Sequence, residues 1–426
     1  MKRITACFLL CVLLLAGCTG KSDSGEHRDP SETGDLGEPV TSLVQLKNYD
    51  AGGIYELEVT LNSYYKRICY TDFQTATKRA LCNVDGCHHE DPVICQALDG
   101  NIDRIFVMGD HLVWMKTIGW PRYEGYYNGQ KAYINGRKAY IGISDRDGKN
   151  KKILLEYDVP SISDPFYVRF SGEVFFDGSN LYAIVEDIEG ETIQKRVVTI
   201  ELETGTVTKR DLPAELCGEW VWYLGITGNR IVYNGTDESI PSNTLSYFAY
   251  SLFDGSIENL RNDVVSGHQT PPIVDGKLIL QTQWEFKVFD LETNTTVITA
   301  AVPEEIQATD YYFFSHCIWD GKFFFFAQNS WEPGKRDYYV FDLQTGSFTE
   351  ITLSWFSYDK GLSAVQVVAE SETEFYVIAG GEVKEEIGFG NNYEPYNNTR
   401  EYFIYAMITK ADYYNNIPNF RYITTG

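Results

Sequence analysis

Basic residues are in short supply: 36 Lys and Arg stand against 60 Asp and Glu in 426 residues, for a formal net charge of −24. A surface this acidic repels phosphate backbones, which excludes nucleic acid and favours cations or basic surfaces. Histidine (6) and methionine (4) are also scarce. No Gly-x-Ser-x-Gly elbow, phosphate-binding loop, dinucleotide fingerprint or His-Glu-x-x-His helix occurs. These absences remove the common hydrolase, nucleotide-binding and metalloprotease machineries, so no catalytic residue is assigned and the reading leans to a non-enzyme. Asp99, Asn101 and Asp103 imitate the start of a calcium loop, but Arg104 and Asp110 stand where its Gly and Glu belong. Long runs with helical periodicity are missing too, as are N-cap signatures ahead of amphipathic runs.

What the chain does have is aromatic: 30 Tyr, 24 Phe and 8 Trp. Such side chains suit pleated, half-buried strands. The N-terminus carries a second signal. Lys2 and Arg3 precede an apolar run over residues 4–15, too short to span a bilayer lastingly, and Leu15-Ala16-Gly17-Cys18 follows. That tetrapeptide resembles the bacterial lipobox. The resemblance implies cleavage before Cys18 and acylation of its thiol, with palmitate-type chains holding the protein on the extracytoplasmic face of the cell membrane. Residues 1–17 then read as a lipoprotein signal peptide and 18–40 as the lipidated Cys and a flexible, polar linker.

Residues 41–426 read as one all-β domain. Short aromatic runs are separated by turns of two kinds. The first kind is Gly52-Gly53, Gly109-Asp110, Asp177-Gly178, Gly228-Asn229, Asp275-Gly276, Asp320-Gly321 and the looser Glu372-Thr373. Gly and Asp tolerate the positive φ of tight hairpins. One position from each gives spacings of 56, 69, 50, 48, 45 and 52 residues. The second kind is Asp290-Leu291-Glu292-Thr293-Asn294, Asp342-Leu343-Gln344-Thr345-Gly346 and Glu201-Leu202-Glu203-Thr204-Gly205, with weaker copies at Asp72, Asp147 and Asp254. Four antiparallel strands per unit, repeated around seven times, is the β-propeller pattern. Six or eight blades are the alternatives.

If the strands of each blade run A to D from the axis outward, A–B and C–D turns leave one end of the ring, and B–C and D–A connections the other. The B–C loops are the long, decorated ones. They carry Trp120, Tyr126 and Tyr127, then Trp331, then Tyr393 and Tyr396, set among Gly and Asn. Tyr and Trp on such a rim can stack on a glycan, peptide or protein ligand. The expected function is therefore a membrane-anchored binding or scaffold module. The alternative is a propeller hydrolase or lyase acting on extracellular glycan or peptide.

Six cysteines follow the lipobox, and three fall close together as Cys82-x4-Cys87-x-His-x5-Cys95. Cys82, Cys87, His89 and Cys95 offer three thiolates and an imidazole, a closed set suited to structural zinc, with His88 as substitute. The competing reading is disulfides among Cys69, Cys82, Cys87 and Cys95, since exported cysteines usually pair. With the lipobox, this cysteine phrase and its following Ala97, and the C-terminal phrase Lys410-Ala411-Asp412-Tyr413-Tyr414-Asn415-Asn416-Ile417-Pro418-Asn419, the chain resembles a group of surface lipoproteins from anaerobic Gram-positive bacteria. Their bodies are TolB-type, WD40-like propellers. The resemblance implies fold and location and brings no chemistry.

Overall fold

The computed structural model describes most of residues 43–425. Residues 1–42 lie outside the description. So do 60–65, 90–94, 98–101, 119–124, 128–129, 133–136, 160–166, 190–191, 217–220, 236–243, 265–272, 282–283, 308–310, 330–335, 359–360, 390–394 and isolated positions besides. Residues 39–426 form one compact unit, and it is a seven-bladed propeller. No helix among the described residues is long and apolar enough to cross a membrane.

Blade 1 consists of Tyr49–Asp50, Gly53–Val59, Lys66–Asp72 and Thr77–Ala80. Blade 2 is Ile102–Met108, His111–Ile118, Arg137–Asp145 and Lys152–Val159; blade 3 is Tyr167–Phe176, Asn180–Glu189, Thr192–Glu201 and Val207–Asp211. Blade 4 is Trp222–Thr227, Arg230–Gly235, Thr244–Ser251 and Ile257–Val264, and blade 5 is Ile273–Val274, Lys277–Gln281, Glu285–Asp290 and Thr295–Ala301. Blade 6 is Tyr311–Trp319, Lys322–Asn329, Arg336–Asp342 and Phe348–Ile351; blade 7 is Gln366–Glu370, Glu374–Phe389, Pro395–Thr409 and Arg421–Tyr422. Every turn of the first kind joins strands A and B, and every turn of the second kind joins C and D.

The recurring Asp explains itself locally. Asp342 accepts from the amides of Gln344 and Thr345 at 2.8 and 2.9 Å. Asp290 accepts from Glu292 and Thr293 at 3.0 and 2.8 Å. The carboxylate thus mimics a backbone acceptor and closes an Asx turn. The Thr after it bonds the hydroxyl two residues on, as in Thr345 with Ser347 and Thr293 with Thr295. The last turn residue is left-handed, Gly346 at φ 73° and Asn294 at φ 55°, which explains Gly or Asn there. Blade 7 departs from the pattern. The helix Lys410–Tyr414, capped by Thr409, replaces its C–D turn.

Strand side chains alternate between the two faces of a sheet, and here both faces are covered by a neighbouring blade. Blade 6 shows it most plainly. Phe323, Phe325 and Ala327 pack toward Phe286 and Val288 of blade 5. Phe324 packs toward Phe375 and Val377 of blade 7. The run of four Phe in one strand is therefore two interleaved seams. Buried apolar clusters occupy every junction around the ring: 1–2, 2–3, 3–4, 4–5, 5–6, 6–7 and 7–1.

Both ends of the described chain seal this ring. Val44–Gln45 lies inside blade 3, antiparallel to its A strand, with Val44 opposite Phe176 and Gln45 opposite Phe175. The amide of Val107 in blade 2 donates to the Lys47 carbonyl at 2.7 Å, and Tyr223 of blade 4 donates to Gln45 at 3.1 Å. At the other end Thr424–Thr425 adds a parallel fifth strand to blade 1 at Thr77 and Lys78. Arg421 donates to the carbonyls of Phe73 and Gln74 and pairs with Glu374.

Candidate functional site

Cys82 follows the short D strand of blade 1, and Cys95 returns the chain toward the A strand of blade 2. The loop between them leaves and rejoins the sheet at one place. Leu81 donates to the Ile68 carbonyl at 2.8 Å, and Ile68 donates to the Ala97 carbonyl at 2.9 Å. The chain after the loop thus takes up the outer-strand position that the chain before it gives up. Cys95 and Ala97 are buried in the blade 1–2 seam with Ile68, Ile102 and Trp114, and Cys82 and Cys87 pack against that cluster.

This excursion brings four ligand atoms together. One atom each from Cys82, Cys87, His89 and Cys95 lies within 4.8 Å of every other. His89 Nδ1 stands 3.3 Å from Cys95 Sγ. His89 sits at φ 58°, a left-handed conformation that a non-glycine residue holds only when its surroundings fix it. Burial, with Arg67 and His88 nearby, lowers the His89 pKa and so favours the neutral imidazole, the form in which histidine binds a metal. Burial and the neighbouring Cys87 and Cys82 push Cys95 up to about 11. His88 is exposed and stands outside the cluster.

Cys69 belongs to a different group. It lies on the strand face that turns to blade 7, where its thiol donates to Glu58 at 3.2 Å. Burial, then the Glu58 charge, pushes it up to about 12. All four of Cys69, Cys82, Cys87 and Cys95 are unbridged. Around Glu58 lies a network the sequence did not advertise. Lys78 pairs with Glu56 at 2.9 Å and with Glu58 at 2.7 Å, Arg67 pairs with Glu58 at 2.7 Å, and Tyr376 of blade 7 donates to Glu56 at 3.1 Å. Tyr405 stacks on Tyr376 at 5.0 Å, under the Lys78 ammonium. The network spans the closing seam between blades 7 and 1.

Of the proposed ligand-binding residues, Trp120, Trp331 and Tyr393 lie outside the described residues, as does Cys18. Tyr126 and Tyr127 lie on the strand Gly125–Tyr127, which pairs with Gln130–Ala132 in the B–C connection of blade 2. Tyr396 is on Pro395–Thr409, opposite Gly388. The B–C connection of blade 7 is no simple loop. Strands B and C run on past the blade as a two-stranded arm, paired from Gly380 with Ile404 to Phe389 with Pro395. A further hairpin, Ser354–Ser357 with Gly361–Ala364, fills the D–A connection from blade 6 to blade 7. It is fastened to the arm by Glu401, which accepts from Ser357 Oγ and from the Tyr358 amide, both at 2.7 Å. Trp355 meets Phe403 edge to face at 6.1 Å.

No protein-family model matches the chain, and no curated protein matches it. Among solved structures it is similar to the β-propeller domain of the trilobed protease from Pyrococcus furiosus, at 12% identity over 85% of this chain and 95% of that one, with a TM-score of 0.44. It is also similar to an acylaminoacyl peptidase (11% identity, 86% of this chain and 58% of that one, TM-score 0.43) and to that of Pyrococcus horikoshii (12%, 84% and 56%, TM-score 0.42). The chain thus spans under three-fifths of the length of those two peptidases.

Proposed function

We propose that this chain is an extracytoplasmic lipoprotein, anchored in the cell membrane through Cys18, whose propeller serves as a binding or scaffold module for a glycan, peptide or protein ligand. The observation that carries the reading is where the chain enters the ring. Val44 pairs with Phe176, next to the Asp177-Gly178 turn, so the described chain begins at the end bearing the short turns. In this proposal the opposite end, with the B–C and D–A connections, is the one left for ligand. Tyr126, Tyr127 and Tyr396 belong to those connections, and they are the residues proposed to meet ligand, together with Trp120, Trp331 and Tyr393.

Within this reading, Cys82, Cys87, His89 and Cys95 hold a structural zinc ion. A tetrahedral zinc with Zn–S near 2.3 Å and Zn–N near 2.1 Å sets its ligand atoms about 3.5–3.8 Å apart, and the four atoms here fall within 4.8 Å of each other. Three thiolates and one imidazole leave no open position, so the ion staples the loop to the blade 1–2 seam and performs no chemistry. Elemental analysis of the purified body, residues 39–426, tests it. The expected result is about one zinc per chain, lost in Cys82→Ser and Cys95→Ser and released on acidification as the thiolates reprotonate. Zinc well below one equivalent, with Cys82, Cys87 and Cys95 not open to alkylation, would replace the metal with disulfides. Radiolabelled palmitate incorporation, abolished by Cys18→Ala, tests the anchor. A glycan and peptide array read for both retention and product distinguishes a binding module from a hydrolase or lyase.

A further inference from the structure

Zinc binds cysteine as the thiolate, which is also the form that oxidants attack. The three cysteines of the blade 1–2 loop differ in how well they can be reached. Cys82 and Cys87 are half-buried, whereas Cys95 is 3% exposed and lies in the seam with Ile68 and Trp114. The path from Cys82 to Cys87 is short and turned back on itself, with the Cys87 amide donating to the Val84 carbonyl at 3.2 Å. Their sulfurs lie within 4.8 Å of each other. Neither residue belongs to a strand, so a bond of about 2.0 Å can form by movement of the loop alone. Cys69 is 2% exposed and donates to Glu58 on the face turned to blade 7, away from this group. The loop is the D–A connection from blade 1 to blade 2, so it stands at the end left for ligand.

We propose that the Cys82, Cys87, His89 and Cys95 centre is a redox switch, in which a hydroperoxide oxidises Cys82 and Cys87 to a disulfide and the zinc leaves. The proposal rests on zinc being the ion held there, and adds how that ion is let go. The Cys82 thiolate attacks the peroxide oxygen and the O–O bond breaks. Cys82 becomes a sulfenic acid, and the departing oxygen takes a proton to leave as water or the matching alcohol. The Cys87 thiolate then attacks the Cys82 sulfur. The S–S bond forms, and the sulfenic hydroxyl departs with a second proton as water. Two electrons have passed from the thiolates to the peroxide. Of the four ligands a structural zinc needs, only Cys95 and His89 remain. The zinc departs as the aqua ion, and the Cys95 thiolate takes up a third proton. The new disulfide bridges four intervening residues at a half-exposed place. A short, accessible bridge of this kind is weakly stabilising and easily reduced, so a dithiol and zinc restore the centre. Unloading removes the staple between His89 and the blade 1–2 seam, at the end left for ligand.

The test is a hydrogen peroxide titration of the body, residues 39–426, purified under reducing conditions with zinc. Released zinc is read with a colorimetric chelator, and cysteines are mapped by alkylation and mass spectrometry. The expected result is about one zinc freed per chain, in step with loss of the Cys82 and Cys87 thiols. Mapping should find a Cys82–Cys87 link, with Cys95 and Cys69 still open to alkylation after denaturation. Dithiothreitol with zinc should return the metal to its starting content, and circular dichroism should hold throughout. Cys69→Ser should release zinc along the same peroxide curve as the wild type. A link that includes Cys95, or sulfinic acid at these cysteines without a link, overturns the switch and leaves the zinc reading standing. So does zinc retained at about a hundredfold excess of peroxide. A reduced, zinc-supplied body that holds no metal removes the zinc reading itself, and the switch with it.

Discussion

The carboxylate of Glu58 is held by Lys78, Arg67 and the Cys69 thiol. Burial alone would raise its pKa; Lys78 above all, then Arg67 and Cys69, outweigh burial and bring it down to about 2. A carboxylate whose folded pKa lies below its unfolded value of about 4.5 stabilises the fold above that value and loses the contribution as pH falls toward 2. Urea midpoints of the wild type should therefore drop across that window. Glu58→Gln should make the drop shallower and cost about 1–3 kcal/mol at neutral pH, nearer the lower figure because the side chain is a third exposed. An unchanged acid limb in the variant would contradict the assignment. The same residues show what a sequence hides. Nothing local marks Glu56, Glu58 and Lys78 as a group; blade 7 brings Tyr376 and Tyr405 over them. The clustering of Cys82, Cys87, His89 and Cys95, by contrast, was legible, because the four side chains lie within 14 positions and the loop needs no distant element to assemble it.

At the scale of elements, the hairpin at 354–364 depends on a single carboxylate in the arm. Glu401 accepts from both Ser357 and the Tyr358 amide, at the start of a turn closed by Gly361 at φ 71°. Glu401→Ala should release the hairpin without touching blade 7. Hydrogen exchange should then quicken by about 10–100-fold over residues 354–364, with protection of Phe375–Val377 unchanged. Exchange that quickens equally in both segments would mean that the hairpin is part of the blade. Most turns were readable because each demands a residue type: Asp to close an Asx turn, Gly or Asn for positive φ. The blade boundaries followed from them. The arm was not readable, because Asn391, Asn392, Asn397 and Asn398 look like loop, and pairing along Pro395–Thr409 depends on a partner strand rather than on local propensity. The sealing strands Val44–Gln45 and Thr424–Thr425 are two residues each and leave no periodicity to detect. The C-terminal phrase gains a physical account. Lys410 and Tyr414 both bond Asp320 of blade 6, Tyr413 is buried with its hydroxyl on the Val365 carbonyl, and Asn416 bonds the Glu350 carbonyl and the Thr352 amide beside the outer strand of blade 6. It fastens blade 7 to blade 6 where the usual turn is missing.

For the whole molecule, closure is the quantity on which stability and the two-ended layout rest. Each blade has two large apolar faces and can hide them only if both neighbours are present. Six junctions follow one another along the chain. The seventh joins blade 7 to blade 1 across the full length of the sequence, through Ile54, Phe73, Ala369, Tyr376 and Met407, the Glu56–Lys78 network and the parallel strand at the C-terminus. The direct test is a Thr77→Cys/Thr424→Cys double variant, at positions that face each other across that parallel pair, oxidised mildly and mapped by mass spectrometry. A ring of seven blades predicts near-complete cross-linking of the two positions within single chains, and a raised unfolding temperature. Absence of that link, or its formation only between chains, would contradict a closed ring.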